Sequence, residues 1–96
     1  MKINVTKNSG DLHIVLEGRL DTATAPEFES VLNANIGGVN ELTIDCAGLE
    51  YVSSAGLRVL LSAQKKMKSG MKLKNVCELV MEVFEITGFV DILNIE

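Results

Sequence analysis

Ile3 and Val5 alternate with polar residues in MKINVTKN, and Leu12, Ile14 and Leu16 do the same in LHIVLEG. Two adjacent runs of period two, joined through the turn chemistry of Ser9, Gly10 and Asp11, predict a β-hairpin. The period then changes. After GRLDTATAP, whose Asp and Thr residues precede Pro26, the side chains Phe28, Val31, Leu32 and Ile36 recur at helical spacing until Gly37 and Gly38 interrupt them. This predicts a helix over about residues 25–36, with the proline in its first turn. ELTIDCAGL reads as a short buried strand, because Leu42, Ile44 and Cys46 alternate onto one face. From Ala55 to Lys68 the apolar positions Leu57, Val59, Leu60, Leu61, Ala63 and Met67 predict a helix packed on a sheet and stopped by Gly70. MKLKNV follows as another strand. ELVMEVFEITG reads as a third helix with Leu79, Val80, Val83, Phe84 and Ile86 inward, and DILNIE as an edge strand.

The order β-β-α-β-α-β-α-β implies one α/β domain over residues 1–96. Strands joined through helices run parallel with right-handed crossovers. The expected sheet is therefore mixed and four- to five-stranded, an antiparallel opening hairpin followed by parallel strands, with about three helices packed mainly on one face. In such sheets sites form where strand ends meet helix starts. One such junction carries the adjacent serines of EYVSSAGLRVLL.

Composition narrows the function. With 47% apolar and 23% charged residues the chain is globular, and four aromatic residues leave an aliphatic core. A net charge of -4 argues against nucleic acid as a partner, since phosphate contacts need a basic face. Five of the nine basic residues, Lys65, Lys66, Lys68, Lys72 and Lys74, do cluster, and they read as a solvated helix end suited to the C-terminal dipole. Cys46 and Cys77 are too few and too widely spaced for a metal site or a disulfide framework. No run approaches the roughly 20 apolar residues of a membrane span, and no apolar leader opens the chain. The expectation is a cytoplasmic protein without membrane insertion, metal or cofactor.

A serine before an apolar helical run is a preferred N-cap. One serine suffices for that, so the second of the pair is left without an assigned role. Gly56, inside the first turn, lowers helix propensity and makes better sense where something approaches the backbone closely. Serine hydrolysis has little support: the G-x-S-x-G elbow is absent and the only histidine, His13, lies mid-strand. No phosphate-binding loop or dinucleotide fingerprint is present either. The remaining chemistry is passive, with a serine hydroxyl as the substrate of another enzyme. A phosphoryl group at a helix N-terminus meets free N–H groups and a positive dipole end, yet its charge would reshape a partner interface.

Three features taken together, GRLD at 18–21, ELTIDCAGLEYV at 41–52 and SSAGLRVLL at 53–61, resemble the STAS domain, in particular the bacterial anti-sigma factor antagonists. With the element order, the likeness spans nearly the whole chain. The resemblance implies a phosphoacceptor two residues before the junction glycine, which selects Ser54 through Gly56. It implies a partner anti-sigma factor that is an ATP-using serine kinase, bound by the unmodified protein and released on phosphorylation, and a PP2C-type phosphatase that resets the switch. Asp21 matches the acidic residue the family places near the acceptor; read from the residues alone, it is a turn or helix-start residue. Many members carry Asp before the acceptor and Ser or Thr after it. Here those positions are Ser53 and Ala55, which leaves Ser53 as a rival acceptor or as the cap. Arg58, the only charged residue in the first two turns, should face outward, either to meet an acidic patch on a kinase or for solubility. On this reading the protein is no enzyme. The alternatives are an accessory subunit of a transporter ATPase or signalling complex, docking without phosphorylation, and a small-ligand domain using the helix N-terminus as an anion site.

Overall fold

Burial alternates along the second strand: Leu12, Ile14 and Leu16 are sealed while His13 and Glu17 are exposed. That alternation defines a sheet with one covered and one open face. In the computed structural model, which describes residues 1–68 and 70–96, the strands are β1 (Lys2–Asn8), β2 (Asp11–Leu20), β3 (Glu41–Val52) and β4 (Met71–Lys74). They lie in the order β1-β2-β3-β4, with β1 and β2 antiparallel and the following pairs parallel. The helices α1 (Ala25–Asn35), α2 (Ser54–Met67) and α3 (Glu78–Thr87) connect or follow the parallel strands. The mixed sheet and three helices match the expected class, and the first two helices begin and end within a residue or so of the predicted bounds.

Leu12, Ile14 and Leu16 of β2, Leu42, Ile44 and Cys46 of β3, and Met71 and Leu73 of β4 form the covered face. Phe28 and Leu32 of α1, Leu57, Val59, Leu60 and Ala63 of α2, and Val80 and Phe84 of α3 complete the core. Leu61 and Met67, on the same apolar helix, are partly buried. β3 is longer than predicted, twelve residues reaching Val52. Its pairing with β2 shifts register twice, between Val15 and Glu17 and between Gly18 and Arg19, so that extra residues of β3 bulge out. The second shift sets Arg19 opposite Tyr51 and Leu20 opposite Val52.

Three expectations need correction. The predicted edge strand DILNIE is largely absent: Phe89–Asp91 form a 3-10 turn, and Ile95 alone makes a parallel bridge to Leu73. Gly88, at φ 81, ends α3 in the left-handed conformation and starts that turn, whose last residue, Asp91, is the first of DILNIE. Leu79 and Ile86 do not point inward; they are 56% and 85% exposed, and Val83 is only partly buried. Finally, the basic cluster is not one helix end. Lys65 and Lys66 occupy the last turn of α2 and Lys68 its C-cap, whereas Lys72 and Lys74 lie on β4.

Candidate functional site

Where β3 ends, the backbone turns directly into α2. Val52 is buried, and Ser53 is extended with φ -93 and ψ 176, donating its N–H to the Leu20 carbonyl of β2 at 2.9 Å. That bond anchors the junction to the end of β2. The Ser53 hydroxyl accepts from the Gly56 N–H at 3.4 Å, and its carbonyl accepts from Leu57 N–H at 2.9 Å. Ser53 is therefore the N-cap. Ser54 becomes the first helical residue, exposed, and its hydroxyl has no hydrogen-bond partner among the described residues. The division of labour that the sequence left open is a matter of one residue: the cap half-buried, its neighbour in solvent.

Gly56 makes a different contribution from the one expected. A Cβ there would lie 2.7 Å from Leu20 Cγ and 3.0 Å from both Leu20 Cδ2 and the Leu20 carbonyl oxygen. What approaches this backbone is the protein's own β2, and the glycine lets the first turn of α2 settle on it.

Asp21 follows Leu20 and closes a tight turn ahead of α1. Its Oδ1 accepts from the Ala23 N–H at 3.0 Å, the Thr24 N–H at 3.2 Å and the Thr24 hydroxyl at 3.3 Å, while its own N–H donates to Thr24 Oγ1 at 2.9 Å. Its Oδ2 lies 3.8 Å from Arg19 Nε. Some desolvation pulls the carboxyl up. The N–H groups of Thr24 and Ala23, the Thr24 hydroxyl and the Arg19 guanidinium together outweigh it and hold the pKa below the usual carboxylate value. Among the described residues Asp21 makes no hydrogen bond to Ser54. The two share an anchor instead, since Leu20 receives Ser53 through its carbonyl and leads into Asp21 through the chain.

Comparison with known proteins adds the family. The model described as "Mlab, STAS domain" matches residues 3–94. The chain belongs to the STAS domain family. A Bordetella bronchiseptica relative, BtrV, provisionally named an anti-sigma factor antagonist, is 38% identical over 96 residues, covering 96% of this chain and 83% of its own. The anti-sigma-B factor antagonist of Bacillus subtilis is 29% identical over 98 residues, covering 99% of this chain and 90% of its own. Among solved structures, the anti-sigma factor antagonist SpoIIAA in its unphosphorylated form superposes with a TM-score of 0.83 at 19% identity, over 99% of this chain and 88% of that one.

Ala55, the residue after Ser54, lines a shallow groove of about 250 Å³ together with Thr22, Pro26, Glu29, Arg58 and Val59. Arg58 is exposed there and has no ion pair among the described residues. It faces outward as the sequence predicts. Arg19 is a site residue that sequence reading missed. Its guanidinium stacks on the Tyr51 ring at 4.3 Å while approaching Asp21. No spacing signals that pair, because only the second register shift brings positions 19 and 51 opposite each other.

The other chemical candidates lie apart from this junction. His13 is exposed in mid-strand. Cys46 is buried, and desolvation, aided by the nearby Asp45 and Cys77, pushes its thiol up to about 12. Cys77 is half-buried against the Leu49 carbonyl at 3.5 Å. Among the described residues no cluster of three or more His, Cys, Asp or Glu is arranged to hold a metal ion, and no helix is long and apolar enough to cross a membrane.

Proposed function

We propose that this STAS domain is an anti-sigma factor antagonist whose Ser54 hydroxyl is phosphorylated by its partner, an anti-sigma factor that is an ATP-using serine kinase. One observation carries the reading: Ser53 caps α2, which leaves Ser54 exposed and unbonded at the first helical position. The names of the relatives support the antagonist role. SpoIIAA, of the same fold, is known in unphosphorylated and phosphorylated forms, which supports a covalent switch.

In the transfer, Ser54 Oγ attacks the γ-phosphorus of ATP. The new O–P bond forms as the bond to the ADP oxygen breaks, and the hydroxyl proton passes to a base on the kinase. This domain supplies position. The phosphoryl group would sit at the N-terminal end of α2, where the dipole and first-turn N–H groups favour negative charge, so the fold should tolerate it. The partner surface should not, because about two negative charges arrive beside Arg58, Ala55 and the groove. Asp21 shapes this region through its turn, and its carboxylate is occupied by Thr24, Ala23 and Arg19 rather than free to act as a base. Unmodified protein binds the kinase and frees the sigma factor; the phosphorylated form lets go, and a PP2C-type phosphatase resets it.

Incubation with the cognate kinase and ATP, followed by peptide mass spectrometry, tests the reading. One phosphoryl group on Ser54, with kinase binding weakened by Ser54→Asp and kept by Ser54→Ala, supports it. Modification confined to Ser53, or none, removes it. A complex with a transporter ATPase that is indifferent to Ser54→Asp would instead point to docking without phosphorylation.

A further inference from the structure

α3 does not send all its apolar side chains to the core. Val80 and Phe84 are buried, but Leu79 and Ile86, two turns apart, are 56% and 85% exposed, with the partly buried Val83 between them. Positions i, i+4 and i+7 share one side of a helix, so the three form a continuous row. Val90 and Ile92, 39% and 47% exposed, add apolar surface in the turn that follows. Single exposed apolar residues are ordinary, whereas an aligned row marks a contact surface.

Glu78, Glu82 and Glu85 have the same i, i+4, i+7 spacing and form a second exposed row beside the first. None has an ion pair among the described residues. From Glu78 to Glu96 there are five acidic side chains and no Lys or Arg. Glu78 in the first turn suits the helix dipole, but the rest of the row is unfavourable to α3 itself. Glu78 and Glu82 repel at i, i+4, and Glu85 sits in a last turn that holds no basic residue, against the negative end of the dipole. Glu82 and Glu85 gain nothing within the helix, and a positive counterpart outside it would supply what they lack. The complement of this face is a helix that is apolar on one side with Lys or Arg along one edge. A second copy meeting this face across a two-fold axis would set glutamates against glutamates. An anionic lipid surface would be repelled as well.

We propose that the outer flank of α3 is a docking face for an amphipathic helical segment of another protein, with basic residues along one edge of its apolar side. The face is separate from Ser54 and does not depend on phosphorylation.

The test is an NMR titration of the full chain with a helical peptide of about five turns, leucines on one side and lysines along one edge, beside a twin in which glutamate replaces lysine. The lysine peptide should shift the methyl signals of Leu79, Val83 and Ile86, and the glutamate twin should not. Binding should weaken about tenfold or more in Ile86→Asp and in the Glu82→Lys, Glu85→Lys double variant, and stay unchanged in Ser54→Asp. Ile86 is exposed enough that its replacement leaves the fold intact, which a native methyl spectrum verifies. Equal binding of both peptides, or no binding of the lysine peptide, overturns the proposal. So does dimerisation that Ile86→Asp abolishes, or attachment of the unmodified chain to phosphatidylserine vesicles.

Discussion

Replacing Gly56 by alanine drives a methyl carbon into the end of β2. The added Cβ would stand 2.7 Å from Leu20 Cγ, and 3.0 Å from Leu20 Cδ2 and from the Leu20 carbonyl oxygen. Leu20 is fully buried, and its carbonyl already holds the Ser53 N–H at 2.9 Å, so neither the branch point nor the backbone has room to withdraw. Overpacking of this kind costs about 1–3 kcal/mol. Alanine regains up to about 1 kcal/mol of helix propensity. Taken from the middle of each range, the difference leaves Gly56→Ala destabilised by roughly 1–2 kcal/mol, and for a domain of this size that lowers Tm by roughly 4–16 °C. Urea unfolding should show a lower midpoint with an unchanged slope. Leu20→Ala alone costs about 2–5 kcal/mol through the cavity it opens. On that background Gly56→Ala should add little, because the crowded side-chain atoms are gone. A Gly56→Ala variant as stable as its parent, or more so, would refute the packing account and return the glycine to the role of a ligand approach point.

Ser53→Ala should lose about 0.5–1 kcal/mol, the lower part of the range for a cap because its bond to Gly56 N–H is long, while Ser54→Ala should stay within about 0.5 kcal/mol; paired thermal melts separate the two. Asp21 and Asp45 both titrate below the usual carboxylate value, Asp45 through the Ala47 N–H and the Asn75 amide, then His13 and Lys74, against opposing desolvation. A depressed folded-state pKa contributes stability that is present above the unfolded value near 3.9 and lost as pH falls through the folded one. Stability should therefore fall on acidification below about pH 4, and Asp21→Asn should flatten that fall in chemical denaturation at successive pH values. Alkylation of native protein near neutral pH should label Cys77 well before Cys46, whose thiol is buried and raised to about 12, and urea should erase the difference, as peptide mapping would show.

The fold was legible because its periods were clean. Leu12, Ile14 and Leu16 alternate, Phe28, Leu32 and Ile36 step by fours, and the change from one period to the other marks each boundary. In α3 the apolar residues spread around more than half the helix, and only the position of the sheet decides that Val80 and Phe84 go in while Leu79 and Ile86 stay out. DILNIE has strand-like residues, but the left-handed Gly88 ahead of it redirects the chain. At the site, the motif located the junction, yet which serine caps depends on the extended ψ of Ser53, and a one-residue choice of that kind lies below the resolution of pattern. Arg19 over Tyr51 follows from a bulge, which side-chain periodicity does not encode.

On the proposed reading, the uncommitted hydroxyl at the start of α2 is the target of a partner's phosphoryl transfer. Quantitative binding of the cognate kinase to the protein before and after ATP treatment, with the modified residue mapped in the same sample, addresses it most directly. The expected result is tight binding before treatment, full occupancy of Ser54 by one phosphoryl group afterwards, and a parallel loss of binding that Ser54→Ala abolishes. Binding that persists with Ser54 phosphorylated, or is lost in the Ser54→Ala variant on ATP addition, would contradict it.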